Sequence, residues 1–168
     1  MCTVTFIARR RGYCLGMNRD EKLTRPTAAA LDGLPLNRIN PFRLIGIYPA
    51  TSEIIEWRWN LKNLVRKNHR WKAQQWISSG FDEPTAQRIR GRAFAIAQHQ
   101  RSAGSLDWLR RLHRSHSPET GPFSICMHRE EAATVCYTEV AVSAQSVVMR
   151  YHSGAPCRNT FCLSSISH

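Results

Sequence analysis

Near the start of the chain, two short segments rich in β-branched and apolar residues flank a basic break that contains a glycine. The first segment covers residues 2–8 and the second covers residues 13–17. Two such segments around a short turn predict a β-hairpin. Because a tight hairpin brings its outer ends together, residues 18–21 are expected to lie beside the start of the first strand.

Farther along, the spacing of apolar residues changes between strand and helix periodicity. Strands are predicted over Phe42–Tyr48, Glu53–Trp59, Gln74–Ser78, Phe123–His128, Ala133–Val142 and Gln145–Tyr151. Helices are predicted over Leu61–Lys67, Pro84–Gln100 and Leu106–His116, the last two capped by Asp82 and Ser105. The apolar positions of the longest helix are Ala86, Ile89, Ala93 and Ile96 or Ala97. This order of elements predicts an α+β domain with two helices packed on one face of antiparallel sheets.

A single domain is expected over residues 1–157. The chain of 168 residues is long enough for one sizeable core and too short for two domains of ordinary size. Residues 24–41 contain three prolines and a glycine, so they predict a connector. Residues 158–168 are rich in serine and predict a frayed tail.

The charge of the chain is strongly basic, with 24 lysines and arginines against 12 acidic residues and a net charge of +12. Such a balance suits anionic partners or substrates, but the basic residues are spread in short groups typical of solvated faces. Five tryptophans lie among them, a mixture that suits stacking on single-stranded nucleic acid. Tryptophans at strand positions usually belong to a core, and no nucleic-acid-binding motif accompanies these, so nucleic-acid binding is not expected.

Localisation follows from two missing signals. Charged residues interrupt every apolar stretch before the roughly 18 residues needed to cross a bilayer, so no membrane span is expected. The sequence shows no signal peptide, and the six cysteines are therefore expected to be free thiols in a cytoplasmic protein.

The second residue, Cys2, has the chemistry of an N-terminal nucleophile. Removal of Met1 would give it a free α-amine, whose ordinary pKa of about 8 allows it to accept the thiol proton. Such a pair needs a carboxylate or amide to orient the amine, a cation to favour the thiolate, and donors for the oxyanion. Asp20, Arg19 and Asn18 match these residue types. Residue types alone leave open an ordinary strand cysteine beside an ordinary ion pair.

A second group of ligand-type residues lies in the last third of the chain. Cys126 and His128 share one face of a predicted strand, and Cys157 and Cys162 offer further metal ligands. Their spacing matches no closed zinc pattern, and free cysteines are commonly buried. Core packing is therefore predicted, with no metal and no cofactor.

Several short motifs occur together in this sequence. They are Met1-Cys2-Thr3, Gly16-Met17-Asn18-Arg19-Asp20-Glu21, Arg25-Pro26, Ile77-Ser78-Ser79-Gly80, Ser124-Ile125-Cys126-Met127-His128 and Tyr151-His152-Ser153-Gly154-Ala155-Pro156-Cys157. In combination they resemble the N-R-D-E family, which includes the transport and Golgi organisation protein 2. The resemblance implies the four-layer αββα sandwich of N-terminal-nucleophile hydrolases. It also implies that Cys2 is the nucleophile, that Asp20 orients its amine, that Arg19 supports the thiolate and that Asn18 shapes the turn.

The N-terminal motif is also similar to the choloylglycine and penicillin-acylase branch, which carries Gly-Arg-Asn-x-Asp after its first hairpin. Gly16, Asn18 and Asp20 match that pattern, whereas Met17 stands in place of the arginine. A cation that assists Cys2 must then be Arg19. The bile-acid and penicillin substrates of that branch are therefore not carried over.

The chain is shorter than the bacterial members that it resembles. Those members carry several extra strands where this chain has only residues 27–33, and the extra region would complete the double sheet and supply an oxyanion asparagine. The resemblance therefore implies an incomplete sandwich with weak or lost activity. Uncovered sheet edges also favour self-association, so a homo-oligomer is expected.

These observations predict hydrolysis of the C–N bond of a small-molecule amide or related acyl compound through a Cys2 thioester. The alternative is a non-enzymatic carrier or trafficking protein, acting in Golgi organisation or haem handling as the eukaryotic relatives imply.

Overall fold

A computed structural model describes residues 2–22, 40–158 and 164–167. Most of the predicted connector, residues 24–41, lies outside the described residues. The chain divides into two compact units, residues 1–25 with 73–168 and residues 26–72. The expectation of a single domain over residues 1–157 stays a prediction.

Strands and two helices make up the described regular structure, which is α+β. In chain order the elements are β1 (Cys2–Arg9), β2 (Gly12–Lys22), β3 (Phe42–Tyr48), β4 (Glu53–Trp59), β5 (Leu64–His69), β6 (Gln74–Ser78), α1 (Glu83–Gln98), α2 (Leu106–Arg114), β7 (His128–Arg129), β8 (Ala132–Ser143), β9 (Val147–Ser153) and β10 (Ser164–Ser167). The predicted strands over Phe42–Tyr48, Glu53–Trp59 and Gln74–Ser78 are confirmed with these bounds.

The sheet of the first unit is antiparallel, with strand order β10-β9-β8-β2-β1-β6 and β7 added at β8. Thr3 of β1 and Asn18 of β2 are register partners, so their side chains lie on the same face. Thr3 contacts Arg90 of α1, and Asn18 contacts His113 of α2. Both helices therefore cover one face of this sheet.

The helices begin where the sequence predicts. The side chain of Asp82 accepts a hydrogen bond from the backbone of Thr85 at 3.0 Å, and that of Ser105 accepts one from Trp108 at 3.0 Å. Each bond satisfies an otherwise unpaired N–H of a first helical turn. Both predicted caps are confirmed.

The buried face of α1 differs from the predicted one. The residues that α1 buries are Ala86, Arg90, Phe94 and Ala97. Ile96 is 61% exposed instead. The spacing of apolar residues does not predict that Arg90 is buried. Its charge is satisfied by partners on the sheet and on a distant loop, and the sequence of the helix does not show these partners.

Three further expectations are wrong. Leu61–Lys67 is not a helix, because Leu64–His69 pairs with β4 as an edge strand and cross-strand hydrogen bonds replace helical ones. Phe123–His128 is not a strand, and only its last residue joins β7. The predicted frayed tail contains a strand, since Ser164–Ser167 pairs with β9, whereas Cys162 lies outside the described residues.

The second unit contains the sheet β3-β4-β5, in which neighbouring strands are antiparallel. Glu56 is its buried carboxylate. One oxygen of Glu56 lies 2.7 Å from Nε of Arg43, and the other lies 2.7 Å from Nε2 of His69. These contacts pair a buried negative charge from both neighbouring strands, as burial of a carboxylate requires.

No helix among the described residues has the length and apolar character needed to cross a membrane.

Candidate functional site

The start of β1 brings the predicted N-terminal site together in the backbone. Cys2 is the register partner of Arg19 on β2 and of Ser78 on β6. Cys2 forms no disulfide with the other described cysteines, and it is only partly buried. Asp20 follows Arg19 directly, so all four predicted site residues lie within one end of the β1–β2 hairpin.

The side chains of these four residues divide between the two faces of the sheet. Cys2 and Arg19, as register partners, share the face that the helices do not cover. Asn18 and Asp20 contact helix residues and therefore lie on the covered face. Cys2 and Arg19 are only partly buried, so a ligand can reach them, whereas Asn18 and Asp20 are buried against the helices.

The Asp20 carboxylate is fully buried and has a partner for each oxygen. Thr134 donates its hydroxyl to Oδ1 at 2.7 Å, and Nη1 of Arg90 lies 3.3 Å from Oδ2. The same nitrogen of Arg90 donates to the Thr3 hydroxyl at 2.7 Å. Burial raises the pKa of Asp20, and the Arg90 charge, the Thr134 hydrogen bond and the charge of the amino terminus act against that rise.

Arg90 is the cation that the sequence argument missed. It is 1% exposed, and it also donates to the carbonyls of Phe123 at 3.4 Å and Pro122 at 3.3 Å. One guanidinium therefore ties α1, β1, β2 and the loop before β7 together. One feature of the sequence indicates its burial: Arg90 is the single charged residue at the helical positions that it shares with Ala86, Phe94 and Ala97.

A β-bulge separates the two halves of the site. Arg19 pairs with Cys136 of β8 and Asp20 pairs with Thr134, so Val135 has no partner on β2. The Val135 carbonyl accepts a hydrogen bond from Gly154 at 2.8 Å instead. Bulges of this kind occur beside active sites because they redirect the flanking side chains.

Cys136, the register partner of Arg19 on β8, lies on the same face as Cys2 and Arg19 and is buried there. Burial raises the pKa of the Cys136 thiol, and a hydrogen bond from Tyr151 and the charge of Arg19 act in the opposite direction. Cys136 and Tyr151 were not predicted as site residues, because only the register of β2, β8 and β9 places them beside Arg19.

Asn18 belongs to a buried network rather than to a turn. Its amide nitrogen donates to the carbonyls of His113 at 2.8 Å and Ile125 at 2.9 Å, and its oxygen lies 3.0 Å from Nδ1 of His113. Nε2 of His113 lies 3.0 Å from the Thr5 hydroxyl. Since the Asn18 oxygen can only accept, Nδ1 of His113 carries the proton and Nε2 accepts from Thr5. Asn18 therefore fixes β2 to the end of α2.

The buried His113 predicts a specific pH dependence of stability. Burial lowers the pKa of His113 to about 3, and its ring faces Thr5, Asn18 and Tyr137. The unfolded chain binds this proton below pH 6.5 and the folded chain does not, so stability is complete above pH 6.5 and falls on acidification. We expect a loss of about 1.4 kcal/mol in the free energy of unfolding for each pH unit below 6.5.

Urea denaturation at pH 7, 6 and 5 measures this slope. His113→Gln removes the titrating group and is the matched comparison, because other acid-sensitive groups such as Asp20 remain in both proteins. The wild-type curve should be steeper than that of the variant. Equal slopes in the two proteins would contradict a neutral buried His113.

Another cluster lies beside the bulge, where the structure brings together distant residues of the sequence. Ligand atoms of His116, Cys126, His128 and Cys157 all lie within 4.8 Å of one another. Burial, together with the neighbouring thiol of Cys157, raises the pKa of Cys126 to about 12. Burial also lowers the pKa of His128. The sequence indicates Cys126, His128 and Cys157 as possible ligands, but it gives no sign of His116, because no fixed spacing connects it to the others.

No protein-family model matches this chain. A search of curated proteins also finds no match. The geometry of the residues is therefore the basis for inferring function.

Proposed function

We propose that the chain is an N-R-D-E family protein in which Cys2 acts as an N-terminal nucleophile on an amide or related acyl compound. The observation that carries the proposal is the pairing of Cys2 with Arg19 on the sheet face opposite the helices, with the buried Asp20 carboxylate on the other face. A cation beside a partly exposed thiol favours the thiolate form, which is the reactive one. The α+β architecture agrees with an incomplete αββα sandwich.

The proposed reaction starts after Met1 is removed. The free amine of Cys2 accepts the thiol proton, and the thiolate forms a bond to the substrate carbonyl carbon while the C=O electron pair moves to oxygen. When that pair returns, the C–N bond breaks and the leaving amine takes the proton from the Cys2 ammonium. Water then attacks the thioester, with the same amine as base, and releases the acid and the thiol.

The other site residues have supporting roles in this proposal. Asp20 orients the Cys2 amine in this proposal, as the resemblance implies, and its carboxylate is fully buried at the same end of the hairpin. Arg19 stabilises the thiolate. Asn18 uses both amide protons on protein carbonyls, so we assign it as a positioning residue and not as an oxyanion donor. The oxyanion donor is the part of the machinery that the shortened chain lacks by resemblance, which predicts slow turnover.

The proposal is tested without knowledge of the substrate. Intact mass should show loss of Met1, and iodoacetamide at pH 7 should alkylate Cys2 faster than an unperturbed cysteine. Inserting alanine between Met1 and Cys2 moves the amine away from the thiol, and Arg19→Gln removes the cation. We expect each change to slow alkylation of Cys2 by roughly ten-fold, since each removes a group that favours the reactive thiolate.

The matched control is Arg9→Gln, which removes an exposed arginine at the far end of β1. It should leave the alkylation rate of Cys2 unchanged. A retained Met1, or equal rates in the wild type and the insertion variant, would exclude the N-terminal-nucleophile mechanism.

A second candidate is a carrier of an apolar ligand such as haem. It is favoured by half-exposed apolar side chains on the face that Cys2 shares, where Val147, Met149 and Tyr151 are 47%, 44% and 48% exposed. Such a patch suits contact with an apolar partner. Titration with haemin distinguishes the two functions, because a carrier shifts the Soret band and a hydrolase does not.

A further inference from the structure

The four residues of the second cluster have the separations of metal ligands. Nε2 of His128 lies 3.6 Å from Sγ of Cys126 and 3.2 Å from Sγ of Cys157. Zinc binds sulfur at about 2.3 Å and nitrogen at about 2.0 Å, so the ligands of a tetrahedral ion lie about 3.5 Å apart. The two distances to His128 are therefore close to those between ligands of one shared ion.

His116 supplies an independent observation at the same place. Its Nε2 atom is buried, and no hydrogen-bond partner for it exists among the described residues. Its ring meets that of His128 edge-on, with 5.1 Å between ring centroids. An unpaired buried nitrogen is costly, and a metal ion is one partner that satisfies it.

The backbone around the cluster is held in place by its own hydrogen bonds. The N–H of Cys126 donates to the Ser115 carbonyl at 3.0 Å, and that of His128 donates to the Gly121 carbonyl at 3.1 Å. The Ser124 hydroxyl donates to the Cys126 carbonyl at 2.6 Å. Residues 115–127 contain no helix or strand, so these bonds bring His116 beside two ligands that are ten and twelve positions farther along.

We propose that His116, Cys126, His128 and Cys157 bind one Zn²⁺ ion as a structural site. Two thiolates and two imidazoles are the ligand types that favour zinc over magnesium or calcium. Four protein ligands complete a tetrahedral shell and leave no open position for a substrate, so the ion has no catalytic role. Two thiolates carry two negative charges, which neutralise the two positive charges of the ion. Such neutralisation is needed because the cluster is partly buried.

The zinc site also supports the Asp20 carboxylate. Met127, between two of the ligands, donates its N–H to the Thr134 hydroxyl oxygen at 2.9 Å and accepts from the Thr134 N–H at 2.9 Å. The Thr134 hydroxyl in turn donates to Asp20. Binding of zinc therefore fixes the loop that orients Thr134, and the zinc proposal itself does not depend on hydrolytic activity.

The test measures metal in protein that is expressed without a histidine tag and purified without added metal. Elemental mass spectrometry should find one zinc per chain, and exchange with Co²⁺ should give the visible absorption bands of a tetrahedral thiolate site. Cys157→Ala and His116→Ala should each lose the zinc. Cys157→His, which keeps a zinc ligand at that position, should retain it.

The control is Cys14→Ala, which removes a buried cysteine outside the cluster and should keep one zinc per chain. If the alanine variants at the ligand positions do not fold, the wild-type stoichiometry and the cobalt spectrum still decide the question. Metal-free wild-type protein, a Cys126–Cys157 disulfide in its mass spectrum, or full zinc content in Cys157→Ala would overturn the proposal.

Discussion

Arg90→Met is expected to lower the free energy of unfolding by about 3–5 kcal/mol at pH 7, because it leaves the buried Asp20 charge without its cation. Arg90 also satisfies Thr3 and two loop carbonyls, so methionine would fill the volume and replace none of the hydrogen bonds. Urea denaturation measures the loss. Such a loss is a large fraction of the total stability of a domain of this size.

The destabilisation by Arg90→Met should shrink in acid. Burial already raises the pKa of Asp20, and removal of the cation raises it further, so this carboxyl becomes neutral in the folded variant as the pH falls. For a carboxyl with a raised folded pKa, the stability contribution is complete below the unfolded pKa and is lost as the pH rises through the folded pKa. The difference in the free energy of unfolding between the wild type and Arg90→Met is therefore greatest near neutral pH.

Two companion proteins separate the charge effect from general damage to α1. Arg92→Met changes an exposed arginine on the same helix and should alter stability by less than about 0.5 kcal/mol. The double variant Arg90→Met with Asp20→Asn removes the unpaired charge and should recover part of the loss. If Asp20→Asn gives no recovery, uncompensated charge is not the cause.

Arg110→Met is expected to cost about 2–3 kcal/mol, because it removes the bidentate partner of a fully buried carboxylate. Nε and Nη2 of Arg110 donate to the two oxygens of Glu139 at 2.9 and 2.8 Å, which joins α2 to β8. Arg150 still pairs with Glu139 at 3.1 Å in the variant. The expected cost is therefore smaller than at Arg90. Thermal and urea denaturation measure it.

The matched control is Arg111→Met, one residue farther along α2. Arg111 is exposed and donates to the Ser102 hydroxyl at 2.6 Å, so its loss should cost less than about 0.5 kcal/mol. Equal effects of Arg110→Met and Arg111→Met would mean that the Glu139 pair contributes little to stability.

Local sequence patterns were sufficient where an element depends on its own residues. The hairpin of β1 and β2, the caps Asp82 and Ser105 and three complete strands follow from turn residues, capping side chains and apolar periodicity. The position of Arg19 opposite Cys2 follows in the same way, because a short hairpin sets the register of its two strands. The sequence therefore predicted the residues of the proposed nucleophilic site and their closeness in the backbone.

Contacts between distant segments decided the rest. Leu64–His69 forms a strand because it pairs with the edge of β4. The residue propensities within this segment contain no information about that partner. Arg90 reaches Asp20 across 70 positions and Cys157 reaches His128 across 29, and such partners are set by how helices and strands pack. The division of Cys2 and Asp20 between two sheet faces arises from the same packing. The sequence shows which side chains are present, but the packing of helices and strands determines which of them are in contact.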